Sequence, residues 1–164
     1  MLPIQFALEL ETIIAGQLAK LIETTPAETA PVLTLLHQSQ TEFTKLLTRA
    51  QTVDVDSAVY PPVTEAQLLG LDTSWQQINQ KLKAGDLSLD GLTAYWSLYT
   101  AVDKTAQFYQ QAAANSAHPQ TQLFFSSLSH VKKILRRRFD GIIHIYYNHL
   151  WGELGFAPFI LGKD

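Results

Sequence analysis

Few residues in this chain combine a reactive type with a position that would make them useful. The stretch FFSSLSHVKKILRRRF, residues 124–139, carries apolar residues at helical spacing, and Lys132 falls where that spacing points inward. Glu11 and Gln40 occupy similar inward positions on two earlier helical stretches. A carboxylate, an amide and an ammonium on buried stripes are the groups from which a polar site inside a helical protein is made. The five histidines, His37, His118, His130, His144 and His149, are the other metal-ligand or acid–base candidates. Asp140 and His144 lie four apart on one face, which suits a ligand pair or a local hydrogen bond. His144 and His149 point away from each other. No His-Glu-x-x-His pair, nucleophile elbow or glycine-rich phosphate loop occurs in the sequence.

Lys132 has two readings. At the edge of its stripe, it carries its ammonium to water along its aliphatic stem. Facing fully inward, it needs an opposite charge beside it, because a buried charge without a partner is expensive. The basic run Lys132, Lys133, Arg136, Arg137 and Arg138 reads as a solvated face or as a site for an anion or an acidic partner.

The elements that must position these groups follow from spacing. Residues 4–24 form a helix with Ile4, Leu8, Glu11, Ala15, Leu18 and Ile22 on one stripe. Thr25-Pro26-Ala27-Glu28 reads as a cap, with Pro31 able to delay the start of a second helix that runs to about residue 51. The stripe of that helix is Leu33, Leu36, Gln40, Phe43 and Leu47. Residues 52–63 form a connection. Thr64-Glu65-Ala66-Gln67 then predicts a capping box opening one helix with Leu68, Leu71, Trp75, Ile78 and Leu82 inward, closed at Gly85 by a left-handed cap. Ser88 caps a helix with Leu92, Tyr95, Tyr99, Val102, Ala106, Tyr109 and Ala113 inward. After His118-Pro119 a long final helix carries Phe125, Leu128, Lys132, Leu135, Phe139, Ile142 and Tyr146.

No stretch alternates with period two, so the fold is predicted to be all-α. The simplest arrangement is an antiparallel four-helix bundle with an additional helix in the long central crossover, as a single domain over residues 1–164. The 164 residues suffice for a real core, and 46% hydrophobic against 16% charged residues describes a globular chain. The formal charge of −3 argues against a nucleic-acid binder. The absence of cysteine removes disulfides, thiolate metal sites and thiol catalysis. The N-terminus does not read as a signal peptide, no stretch spans a membrane, and a cytoplasmic protein is the expectation.

The two halves repeat: a long helix, a turn with proline (Pro26, Pro119) and a second long helix. Glu11 precedes Gln40 by 29 residues and Val102 precedes Lys132 by 30. Residues 108–128, FYQQAAANSAHPQTQLFFSSL, resemble the hairpin of rubrerythrin-related ferritin-like proteins through Tyr109, Ala112, Ala113, Pro119, Phe125 and Leu128. The resemblance covers residues 89–150 moderately and residues 4–51 weakly.

That resemblance implies a site. In the family each hairpin supplies one glutamate from its first helix and a Glu-x-x-His pair from its second, and these hold two iron or manganese ions. Carried onto this chain, the positions are Glu11, then Gln40 and Phe43 in the first hairpin, and Val102, then Lys132 and Leu135 in the second. Only Glu11 keeps the family's residue, and on this register the Lys132 ammonium takes the place of the lost metal and pairs with Glu11, with Gln40 hydrogen-bonded to both. The expectation is therefore a non-enzymatic bundle that has lost its diiron site and binds no cofactor, with a structural or binding role. The alternatives are an iron- or manganese-dependent oxidoreductase of oxidative-stress defence, if the register is misplaced, and a helical bundle that binds a small ligand. The aromatic residues Tyr95, Trp96, Tyr99, Phe108 and Tyr109 suit a core or a pocket for a small apolar ligand. The tail residues Trp151, Phe156 and Phe159 suit a core cap or an association surface. Implied partners are a second copy in a homodimer and a small apolar ligand or protein, without nucleic acid or membrane.

Overall fold

A computed structural model describes residues 2–24, 27–53 and 59–153. Among these, six α-helices account for the regular structure with one short 3-10 turn at Ala27–Thr29, and there is no strand. The helices are α1 (Pro3–Thr24), α2 (Ala30–Gln51), α3 (Glu65–Leu69), α4 (Asp72–Ala84), α5 (Leu89–Ala114) and α6 (Pro119–Glu153). None of the described helices is long and apolar enough to cross a membrane.

The helices pair along the apolar stripes that the sequence lays out. α1 packs on α2, and α5 makes its most extensive pairing with α6. The second pair runs antiparallel: the Trp96 indole donates to the Tyr147 hydroxyl at 3.1 Å near one end, while the Ser129 hydroxyl donates to the Ala106 carbonyl at 3.0 Å further along. Contacts from α1 to α5, and from α3 and α4 to α6, join the elements. Phe43, Tyr95, Tyr109, Phe125, Leu128, Phe139, Ile142 and Tyr146 are buried along the middle. At about 25 cal/mol per Å² of apolar surface removed from water, this aromatic-rich core is the main favourable contribution to folding.

Several boundaries differ from the spacing-based expectation. Thr25 and Pro26 lie outside the described residues, and α2 begins at Ala30 with Pro31 in its first turn, where its missing N–H is no loss. The stretch expected to form one helix from Thr64 is two. Gly70 adopts φ 75°, a left-handed value open to glycine, and this breaks the chain between α3 and α4. Leu71 then sits in extended backbone ahead of α4 and is 63% exposed instead of buried on the stripe. The Thr64 side chain makes no capping bond. Gly85 ends α4 in an extended conformation, so its expected left-handed cap is not formed. The Ser88 cap is present, its hydroxyl accepting from the Gly91 N–H at 3.1 Å. Ile22 is exposed at the end of α1, where the stripe runs past the core.

At Gly91 the start of α5 lies close against Tyr146 of α6. A Cβ there would lie 2.7 Å from the Tyr146 hydroxyl and 2.8 Å from its Cε1, and Tyr146 is fully buried. At Gly141, within α6, a Cβ would meet nothing within 4 Å. Opposite outcomes follow in thermal or denaturant unfolding. Gly91→Ala should destabilise by about 1–3 kcal/mol through overpacking. Gly141→Ala should stabilise by roughly 0.5–1 kcal/mol through helix propensity.

Candidate functional site: a buried carboxylate held by four helices

Glu11 lies midway along α1, on its inward face beside Ala7, Ile14 and Leu18. Across the α1–α2 hairpin, the same periodicity turns Gln40 inward. α5 presents Tyr109 and α6 presents Lys132 to the same point. The Lys132 ammonium is 2.9 Å from Glu11 Oε2, and the exposure of both side chains is 0%. The snorkelling reading of Lys132 is thereby overturned. The stem does not lead to water, because the lysine sits one helical turn from Leu128 and Leu135 in the centre of the α6 stripe.

Each oxygen of the carboxylate is occupied. The Tyr109 hydroxyl donates to Oε1 at 2.6 Å. Gln40 Nε2 donates to Oε2 in a short hydrogen bond, and also to the Glu11 main-chain carbonyl at 2.9 Å. The Lys132 Nζ lies 4.1 Å from the centroid of the Phe43 ring, whose face offers the ammonium a second favourable contact. Val102 and Leu135, the other two positions that the resemblance singles out, are buried and apolar. Three of the other five positions thus bear directly on Glu11 or its lysine, and Val102 and Leu135 belong to the apolar core.

Tyr109 was expected as core, not as a partner of Glu11. Its stripe position gives burial, and a buried tyrosine hydroxyl seeks an acceptor, but nothing in the sequence says which one. Burial pushes its phenol well above the ordinary value of 10.0, and the negative charge and hydrogen bond of Glu11 add to the shift.

The donor set can be tested against a pair of iron or manganese ions. Such a pair needs several carboxylates to offset its charge. Around Glu11 stand an ammonium, an amide aimed through its nitrogen and a hydroxyl aimed through its proton. All three donate, so they compete with a cation for the one carboxylate and do not fit a metal pair. Among the described residues no group of three or more His, Asp or Glu is placed to hold a metal ion.

The remaining candidates are dispersed. His130 is exposed and lies 3.1 Å from Glu65, His149 Nε2 accepts from the Leu87 N–H at 3.3 Å, and His37 and His118 are exposed. Asp140 is exposed beside a half-buried His144. The basic run is largely tied down: Lys133 to Gln110 at 3.0 Å, Arg136 to Asp103 at 2.6 Å and Arg138 to Asp72. Trp151 is half-buried in the last turn of α6, and Phe156 and Phe159 lie outside the described residues.

Two outcomes check this geometry. Lys132→Ala should cost roughly 3–5 kcal/mol in denaturant unfolding, because it leaves the Glu11 charge buried without its partner. Exchanging both residues for apolar ones, Glu11→Leu with Lys132→Met, should cost far less than the sum of the single changes. The second outcome concerns alkaline pH. The phenol is neutral when protonated, so a raised value means that the native chain keeps a proton the unfolded chain releases. Stability from this group is whole below pH 10.0 and is lost as pH rises through the folded value. Tyr109→Phe should therefore flatten the alkaline fall in stability, measured as unfolding midpoint against pH. Compared with known proteins, the chain matches no protein family, no curated protein and no solved structure.

Proposed function

We propose that this chain is a cytoplasmic, ferritin-like, rubrerythrin-related four-helix bundle in which an internal ion pair stands where relatives hold two metals. On this reading α1, α2, α5 and α6 are the bundle, and α3 and α4 belong to the crossover between its halves. The protein is a non-enzymatic structural or binding protein, and the Glu11 layer is part of its framework. One observation carries the reading: an ammonium, from the position where the resemblance places a metal-binding glutamate, makes a fully buried ion pair with Glu11. A cation is still present at mid-bundle, but it belongs to the chain itself. The Glu11 carboxylate, the Gln40 amide nitrogen, the Tyr109 hydroxyl and the Lys132 ammonium bond to one another in that layer, which supports a framework role.

A cavity of about 250 Å³ at the end of the helices is walled by Leu2, Ile4, Val53, Tyr60 and Phe125, with His118 among its polar residues. Its apolar lining with a few polar groups suits a small apolar ligand.

Metal analysis of protein purified from cells supplemented with iron and manganese tests the reading. The expected result is no stoichiometric metal and no change in unfolding midpoint on adding either ion. Two ions bound per chain, with a raised midpoint, would return the protein to the metal-dependent oxidoreductases.

A further inference from the structure

The Glu11 layer holds the parts of a reaction as well as those of a framework. Lys132 carries a primary amine, Gln40 carries an acyl group with nitrogen to release, and both meet one oxygen. The Lys132 ammonium donates to Glu11 Oε2 at 2.9 Å, and Gln40 Nε2 donates to the same atom. A second bond from Nε2, to the Glu11 main-chain carbonyl at 2.9 Å, holds the amide in place. The amide carbon Cδ is one bond from Nε2. Nucleophile and acyl carbon are therefore neighbours in a fixed geometry, which replaces a bimolecular encounter. Gln40 is 3% exposed, and Glu11, Phe43, Tyr109 and Lys132 are fully buried, so bulk water does not compete for the carbon.

Transfer of an acyl group from amide to amine needs a carrier that takes protons from the incoming nitrogen and gives one to the leaving nitrogen. Glu11 Oε2 bonds to both nitrogens and is placed for each task. A proton passing from Nζ to Oε2 leaves a neutral amine beside a neutral acid. Nζ then bonds to Cδ, Oε2 gives its proton to Nε2, and the Cδ–Nε2 bond breaks to release ammonia. Oε2 takes a second proton from Nζ. The ammonium, carboxylate and primary amide thus become a secondary amide, a carboxylic acid and ammonia, with all hydrogens retained and net charge zero on both sides. Two buried charges disappear, and with them the desolvation cost that a buried ion pair carries. The Tyr109 hydroxyl on Oε1 and the Phe43 ring over Nζ hold the carrier and the nucleophile in position.

We propose that Lys132 and Gln40 join through an amide bond inside the folded chain, with Glu11 as the proton carrier, so that α2 and α6 are covalently cross-linked. The inference rests on the framework reading of the layer and gives that framework a covalent form: the ion pair is the state in which the chain folds, and the amide is the state into which it matures.

Mass spectrometry of the whole purified chain under denaturing conditions tests this. The wild type should be lighter than its sequence by one ammonia. Trypsin should leave residues 21–45 attached to a peptide that ends at Lys133, because an acylated Lys132 is not cut. Lys132→Arg, Gln40→Leu and Glu11→Gln should each keep the full mass of their sequences. The decisive readout is the linked peptide of the wild type, which does not depend on whether a variant folds. A wild type of full mass after prolonged incubation in the folded state overturns the proposal, as does an ammonia loss that persists in Lys132→Arg or Gln40→Leu. Loss of water instead of ammonia overturns the role of Gln40 and moves the bond to Glu11. An unlinked chain that binds no metal overturns the cross-link alone and leaves the framework reading standing.

Discussion

A carboxylate removed from water at the centre of a helical protein must be matched atom by atom. Unpaired, it costs several kcal/mol or takes up a proton. Glu11 meets this condition through three side chains, each from a different helix: Lys132 and Gln40 at Oε2 and Tyr109 at Oε1. This single demand ties the α1–α2 hairpin to the α5–α6 hairpin. Apolar stripes alone tolerate sliding, since one leucine packs about as well as the next. A hydrogen-bonded layer does not, because a shift of one residue moves a side chain by about 1.5 Å along the axis and about 100° around it. The layer thus fixes both the height and the rotation of four helices at once.

Such a layer is stable only when it is complete. The Lys132 ammonium balances one charge, and Gln40 spans the side chain and the main chain of Glu11. Tyr109 brings its aromatic body into the core, stacked against Phe125 at 6.2 Å between centroids, and spends its hydroxyl on the remaining oxygen. Phe43, at the position where the resemblance implies a histidine, closes the site with an apolar ring over the ammonium. On the proposed reading these exchanges are mutually dependent. A lysine at position 132 is tolerable because a glutamate remains at 11, and that glutamate is tolerable without metals because the lysine is there.

The central connection has a different task. The Trp75 indole donates to the Leu69 carbonyl at 2.7 Å, and the Ser39 hydroxyl donates to the Leu68 carbonyl, so backbone freed by the break at Gly70 is satisfied from α4 and α2. Arg138 pairs with Asp72 while its guanidinium lies 5.8 Å from the Trp75 ring, which fastens α4 to α6. Two short helices bent at a glycine can follow the surface of the longer ones, whereas one straight helix would stand away from it.

By itself, the sequence determined that this chain is helical, where its long helices lie, and that Glu11, Gln40, Tyr109 and Lys132 all fall on apolar stripes. Burial repeats every three to four residues, and that signal is local to each helix. The resemblance in residues 108–128 set the two hairpins against each other closely enough to raise a pairing of Lys132 with Glu11. Three things needed the tertiary structure. That the pair forms, instead of lysine escaping to water, depends on how deep position 132 lies once α6 is packed. That Tyr109 completes the carboxylate depends on the relative height of α1 and α5, which are 98 residues apart at this contact. That the helix expected from Thr64 breaks at Gly70 depends on a backbone reversal that periodicity does not register. Spacing along one helix reports which way a side chain points, and only the packing of several helices reports what it meets.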